Sequence, residues 1–291
     1  MLENLLLNGF VTGTFYALLA LGIVVVHKAT NVINFTHGEM FMMAAFLAYA
    51  GYNVVGLNYL VAITLAVLGA GALGALTFTV AFRPLLRQGL VTILLAMVGL
   101  SYIFKGLARH YLGGRSDYLP FPPAISSDPI EIGNVVLSSQ QLLGLATSIV
   151  LLGILAAFFE LTRLGRSMRA TADNPKAAIL VGVRVDRIRM LTFSISALLA
   201  GVAGVLMAPL TLIYPDMGFG VFVKALAAAA LGGMNSLTGA VVAGMLVGVV
   251  EQLAAGYIYT GIQEISGFLI VMFTLIFLPS GLFGMRAERR A

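Results

Sequence analysis

Long stretches without a single charged side chain recur along this chain, and no other feature constrains its fold as much. About 20 residues of helix cross the roughly 30 Å of hydrocarbon in a bilayer. The uncharged runs are Asn4–Val26, Met40–Phe82, Gln88–Phe104, Ile132–Phe159, Met190–Pro215, Ala225–Val250 and Ile265–Met285. Backbone amides find no water inside lipid, so such runs must be helical unless they close a barrel, whose strands would alternate in polarity. No alternation is visible. The expected fold is all-α: a polytopic transmembrane helical bundle forming one domain over residues 1–291. Met40–Phe82 and Ala225–Met285 divide in more than one way, and Asn31–Glu39 is a candidate re-entrant segment. The expectation is eight to ten spans.

Composition excludes the soluble alternatives. Charged residues are 10% of the chain and hydrophobic residues 60%, against about 25% charged in ordinary soluble domains. Seventeen basic and twelve acidic side chains cannot clothe a water-soluble surface for a chain of this length. There is no cysteine and there are three histidines, so disulfides and thiolate metal sites are excluded and no metal site is expected. The N-terminal Met-Leu-Glu-Asn lacks a basic n-region, and the segment after it reads as a retained first span.

The net charge of +5 reflects topology rather than nucleic-acid binding, because the basic residues cluster between apolar runs. Arg83 and Arg87 flank one turn, seven basic residues crowd Arg163–Arg189, and Arg286, Arg289 and Arg290 close the chain. Basic residues in short loops stay cytoplasmic, so all three clusters and the C-terminus are expected there. The segment 113–138, rich in Pro and Ser, is expected on the other side. Small residues recur at four-residue spacing as Ala66, Ala70 and Gly74, as Ala200, Gly204 and Ala208, and as Ala240, Gly244 and Gly248. Stripes of this kind let helix backbones approach closely in lipid.

Three places carry candidate chemistry. In the basic loop 163–189, Asp173 and Asn174 can cap a helix, Pro175 suits its first turn, and Gly182 is a stop, which predicts a two-turn helix. Such a helix either rests on lipid headgroups or docks a cytoplasmic partner. Glu39 and Glu251 lie near or within the membrane, where a central charge costs about 2.5–3.5 kcal/mol on insertion scales. Asn34 and His37 cluster with Glu39, either beside a substrate path or as a helix cap; Glu251 either lines the path or reaches water from a span's end. Pro209 interrupts an apolar run, and discontinuous helices can line transport pathways, although a packing kink explains it equally.

Several motifs together resemble one family. Arg169-Ala170, Asp173-Asn174-Pro175, Ala177-Ala178 and Gly182-Val183, followed by Phe193–Gly204, are similar to the coupling-loop signature of branched-chain amino-acid ABC transporter permeases. Ile33–Glu39 (INFTHGE), Leu231–Ala240 (LGGMNSLTGA) and Tyr214–Gly218 fit the same family, with Thr36 standing for its usual Ala and Asn235 for its usual Gly. The likeness runs from about Asn8 to Phe283 and is to the shorter, Liv H-type subunit.

The resemblance implies a bacterial inner-membrane permease paired with a second, homologous permease subunit. It also implies two cytoplasmic P-loop ATPase subunits and a periplasmic solute-binding protein for Leu, Ile, Val or a related small solute; urea or short amides are the alternative. Arg169, Asp173, Asn174, Pro175, Ala177, Ala178 and Gly182 would couple to the ATPases. Asn34, His37, Glu39, Pro209, Asn235 and Glu251 are the pathway candidates. The sequence holds no Gly-x4-Gly-Lys-Ser/Thr loop, so ATP is expected in the partner chains, and no cofactor or enzymatic activity in this one. An ion-coupled secondary transporter would want more midplane ionisable groups, and an intramembrane enzyme a nucleophile with its base; neither pattern is evident.

Overall fold

A computed structural model describes residues 1–86, 88–111, 118–125, 129–132 and 135–284. Arg87, Arg115, Asp117, Asp128 and the three C-terminal arginines lie outside them. Twelve α-helices are described, and the uncharged runs account for most of them: α1 (Leu2–Thr30), α2 (His37–Tyr49), α3 (Tyr59–Leu76), α4 (Arg83–Leu85), α5 (Leu90–Tyr111), α6 (Ser139–Leu161), α7 (Arg163–Asp173), α8 (Pro175–Leu180), α9 (Val185–Met207), α10 (Met217–Gly232), α11 (Leu237–Tyr257) and α12 (Ile262–Phe277). A π-helical turn at Thr77–Phe82 joins α3 to α4. Six helices are long and apolar enough to cross a membrane: α1, the continuous α3–α4 rod, α5, α6, α9 and α11; α10 and α12 are shorter. The chain is a multi-pass membrane protein.

Contacts between helix ends fix the direction of each helix. Arg189 Nε donates to the Ala29 carbonyl at 3.2 Å, and Arg83 pairs with Asp186 at 3.1 Å. The ends of α1 and α3 therefore meet the start of α9 at one end of the bundle, the basic end. At the other end the Val136 amide donates to the Asn4 side chain, and Gln141 donates to Asn8 at 2.7 Å. That end carries a two-stranded antiparallel hairpin, β1 (Pro129–Ile132) with β2 (Val135–Ser138), inside a segment read from sequence as loop and span. Leu119 bridges to Ile213 at the same end. The backbone amides of Leu282 and Phe283 donate to Leu231 and Gly232, returning the chain to the basic end. Thus α1, α3, α6, α10 and α12 run toward the basic end and α2, α5, α9 and α11 run away from it. Six of these nine helices are long and apolar enough to cross a membrane, α2, α10 and α12 being shorter, where eight to ten spans are expected.

The small-residue stripes form the tightest seams. A Cβ on Gly244 or Gly248 would strike Ala17 or Gly13 of α1, one on Gly74 would strike Phe193 and Ala197 of α9, and one on Gly204 would strike Phe41 of α2. The core accordingly sits around α1, α2, α9, α10 and α11, with Tyr16, Phe41 and Met42 fully buried. By contrast α5, α6 and α12 are exposed along much of their length, as lipid-facing or partner-facing helices must be.

Candidate functional site

The motif Ile33–Glu39 turns the chain back into the bundle and on to the hairpin end through α2, so it is the non-helical start of a traverse rather than a re-entrant segment. Helix α1 ends in a left-handed Asn31 (φ 56°); the chain then turns back into the bundle, and α2 starts only at His37. The His37 ring is 1% exposed, and its Nε2–H donates to the Leu19 carbonyl at 3.1 Å, eleven residues before Thr30. At about 1.5 Å per residue this lies some 16 Å inside the end of α1. Nδ1 faces Ser196 Oγ of α9 at 3.1 Å, and that hydroxyl donates to the Gly22 carbonyl. His37 therefore ties α1, α2 and α9 together. Asn34 Oδ1 accepts from the Thr36 amide (3.1 Å) and hydroxyl (2.7 Å), so it shapes the entry into α2.

Glu39 enters a first charged node. It is buried and accepts from Ser101 Oγ at 2.6 Å, with Lys105 Nζ 3.8 Å away. Lys105 also pairs with Asp216 at 2.8 Å, and Arg109 reaches Asp216 at 3.8 Å. Ser101, Lys105 and Arg109 share one face of α5 by their four-residue spacing. A cavity of about 230 Å³, lined by Ser101, Lys105 and the rings of Phe35, Tyr102, Phe219 and Phe222, lies against this face. Charge patterning alone does not single these residues out, because Lys105 closes an uncharged run; the Ser101, Lys105, Arg109 spacing is the available signal.

Glu251 forms the second node. It is buried on α11 and accepts from Lys224 Nζ of α10 at 2.6 Å, while that ammonium stands 5.6 Å from the Tyr16 ring centroid. Glu251 is thus paired within the bundle rather than reaching water from a helix end. Lys224, which immediately precedes the uncharged run Ala225–Val250, lines a cavity of about 330 Å³ with Tyr16, Phe41, Met207, Thr211, Tyr214, Val221, Gln263 and Glu264. Tyr214, in the turn before α10, has its pKa raised, first by burial and then by Tyr118, Asp216 and Glu264; its hydroxyl remains a donor at neutral pH.

The basic loop folds as its capping residues dictate. Thr162 caps α7 through the Gly165 amide, and Asn174 accepts from the Ala177 amide at 3.0 Å to cap α8. Gly182 stops the unit at φ +83°. Ala178 is buried, whereas Ile179, Leu180 and Val181 are 60%, 87% and 78% exposed. Arg169 joins Lys28, Met168 and Leu237 around a small pocket at the same end, and Asp173 ends α7.

A family model for the permease component of the branched-chain amino acid transport system matches residues 5–278. The chain belongs to that family. Among relatives of this permease, the high-affinity branched-chain amino acid transport system permease protein LivH of Salmonella typhimurium is 32% identical, over 95% of this chain and 94% of its own. The BraD protein of Pseudomonas aeruginosa, of the same description, is 31% identical over 96% and 94%. Among solved structures, PsaBC from Streptococcus pneumoniae in complex with Fab superposes with a TM-score of 0.52 at 13% identity, covering 96% of this chain and 92% of that one; the fold is shared.

Two sequence expectations for this permease need correction. Pro209 does not break a helix: α9 already ends at Met207, and Pro209 sits in the turn that follows. A proline there costs no internal hydrogen bond, and the turn delivers Thr211 and Tyr214 to the cavity beside Lys224. Asn235 is an exposed residue of the α10–α11 turn at the basic end, beside the coupling loop and distant from both charged nodes in sequence and along the helices.

Proposed function

We propose that this permease forms one half of the membrane pathway of an ATP-driven importer for branched-chain amino acids. A second permease completes the path, two P-loop ATPase subunits dock at the basic end, and an extracytoplasmic binding protein delivers solute at the hairpin end. The basic end, with the C-terminus, faces the cytoplasm of a bacterial inner membrane. ATP binds the partner chains, and this chain holds no cofactor of its own. The observation that supports this most is the α7–α8 unit: a capped, charged helix pair presents three consecutive apolar residues, Ile179, Leu180 and Val181, to the medium at the basic end. Arg169, Asp173, Asn174, Pro175, Ala177, Ala178 and Gly182 build that unit and carry motion in the ATPases to α6 and α9. The two charged nodes meet α10 at its start through Asp216 and midway through Lys224, and its short length suits a wall of the pathway.

The test is reconstitution of the chain with its partner permease, the two ATPase subunits and the binding protein in proteoliposomes, with uptake of labelled Leu, Ile and Val followed as ATP is supplied to the ATPase side. Concentrative, ATP-dependent uptake of the three is expected. Uptake of urea or short amides in their place would move the chain to the other solute class, and uptake driven by an ion gradient without ATP would end the importer reading.

A further inference from the structure

The cavity beside Lys224 combines apolar walls with charge in a way that packing does not require. Phe41, Met207, Met217 and Val221 supply an apolar surface, and Lys224, Gln263 and Glu264 supply polar groups at the same walls. An ammonium carries three donors; Lys224 directs one at Glu251. The buried carboxylate offsets its charge, and the Tyr16 face stabilises it further. An ammonium so held keeps donors for a visiting anion. Thr211, Tyr214, Gln263 and Glu264 place the cavity toward the hairpin end, where α9 ends and α12 begins. Its volume of about 330 Å³ lies at the small end of ligand pockets, about 300–1,000 Å³.

We infer that this cavity is a transient binding site for a zwitterionic α-amino acid with an apolar side chain. Lys224 receives the α-carboxylate, Glu264 and Gln263 receive the α-ammonium, and the side chain lies against Phe41, Met207, Met217 and Val221. Thioether side chains adapt to differently branched aliphatic groups, so one cavity serves several such amino acids. Glu251 is a positioning residue that holds Lys224. This deepens the branched-chain reading and rests on it.

The test uses the complete reconstituted transporter with saturating binding protein, and reads leucine uptake and ATP hydrolysis in the same vesicles. The Lys224→Met/Glu251→Gln pair removes both buried charges together and so leaves neither unpaired. It is expected to lower leucine uptake at least tenfold while ATP hydrolysis stays within twofold; Lys224→Arg is expected to recover much of the uptake. Glu264→Gln, at the rim, is expected to lower leucine uptake several-fold without changing inhibition by 4-methylpentanoate, which lacks the ammonium. Wild-type uptake of leucine with both variants transporting normally, or uptake and ATP hydrolysis falling in parallel in the assembled double variant, would overturn the site and leave the importer reading standing. Absence of ATP-driven leucine uptake in the wild type would remove that reading and this site with it.

Discussion

At the scale of single residues, polar groups in this bundle are held by close packing as much as by hydrogen bonds. A methyl group on Gly22 would fall on Cε1 and Nε2 of the His37 ring, which has no exposed direction in which to move. Gly22→Ala is therefore expected to destabilise the fold by about 1–3 kcal/mol, the usual cost of overpacking, seen as a lower unfolding temperature in detergent; unchanged stability would mean that His37 is not the tie between α1, α2 and α9. Burial of charge gives a second expectation. Glu251→Ala leaves the Lys224 ammonium without its partner, and removing one member of a buried pair costs about 3–5 kcal/mol, whereas replacing both with uncharged groups of similar volume is close to neutral. Single and double variants compared by thermal unfolding should differ in that order. Equal losses would show that the pair is solvated.

At the scale of elements, the coupling loop was legible in detail because its signals are local. Asn174, Pro175 and Gly182 each act within one turn of the backbone, so the cap, first turn and stop were readable without knowledge of the rest of the chain. The charged nodes were not, because Glu39–Ser101 and Lys224–Glu251 join residues 62 and 27 positions apart, and a scan for uncharged runs treats a lysine as a boundary even where the helix continues through it. Helix α5 passes Lys105 and Arg109 because Asp216 and Glu39 offset their charge. For the loop, Gly182→Val forces a β-branched residue to φ +83°, in open space where only the backbone objects; the left-handed conformation costs about 1–2 kcal/mol per residue. The expected result is normal insertion, retained ATP hydrolysis and reduced uptake. Leu180→Asp should instead weaken recovery of the ATPase subunits with the tagged permease, since it places a charge on the exposed apolar tip. Full recovery and full uptake in both variants would assign α8 to the lipid surface.

At the scale of the whole molecule, the turn at residues 31–36 sets the direction of every helix after it. Because α2 leads from that turn to the hairpin end, nine described helices alternate in direction, and Leu2 and Phe283 lie at opposite ends of the bundle. Eight or ten crossings, equally compatible with the apolar runs, would place them together. Asn4 and Asn8 bind the hairpin end through Val136 and Gln141, while Leu282 and Phe283 bind the α10–α11 turn at the basic end. The native chain contains no cysteine, so single substitutions report position without background. In intact spheroplasts a membrane-impermeant maleimide should label Leu2→Cys and Tyr259→Cys, both exposed at the hairpin end, and should miss Leu180→Cys until the membrane is opened. Labelling of Leu180→Cys in intact cells would invert the bundle and remove the ATPases' docking surface from the cytoplasm. Protection of Leu2→Cys with labelling of Tyr259→Cys would place the start of α1 at the basic end, which breaks the contacts of Ala29 with Arg189 and of Asn8 with Gln141 that orient α1.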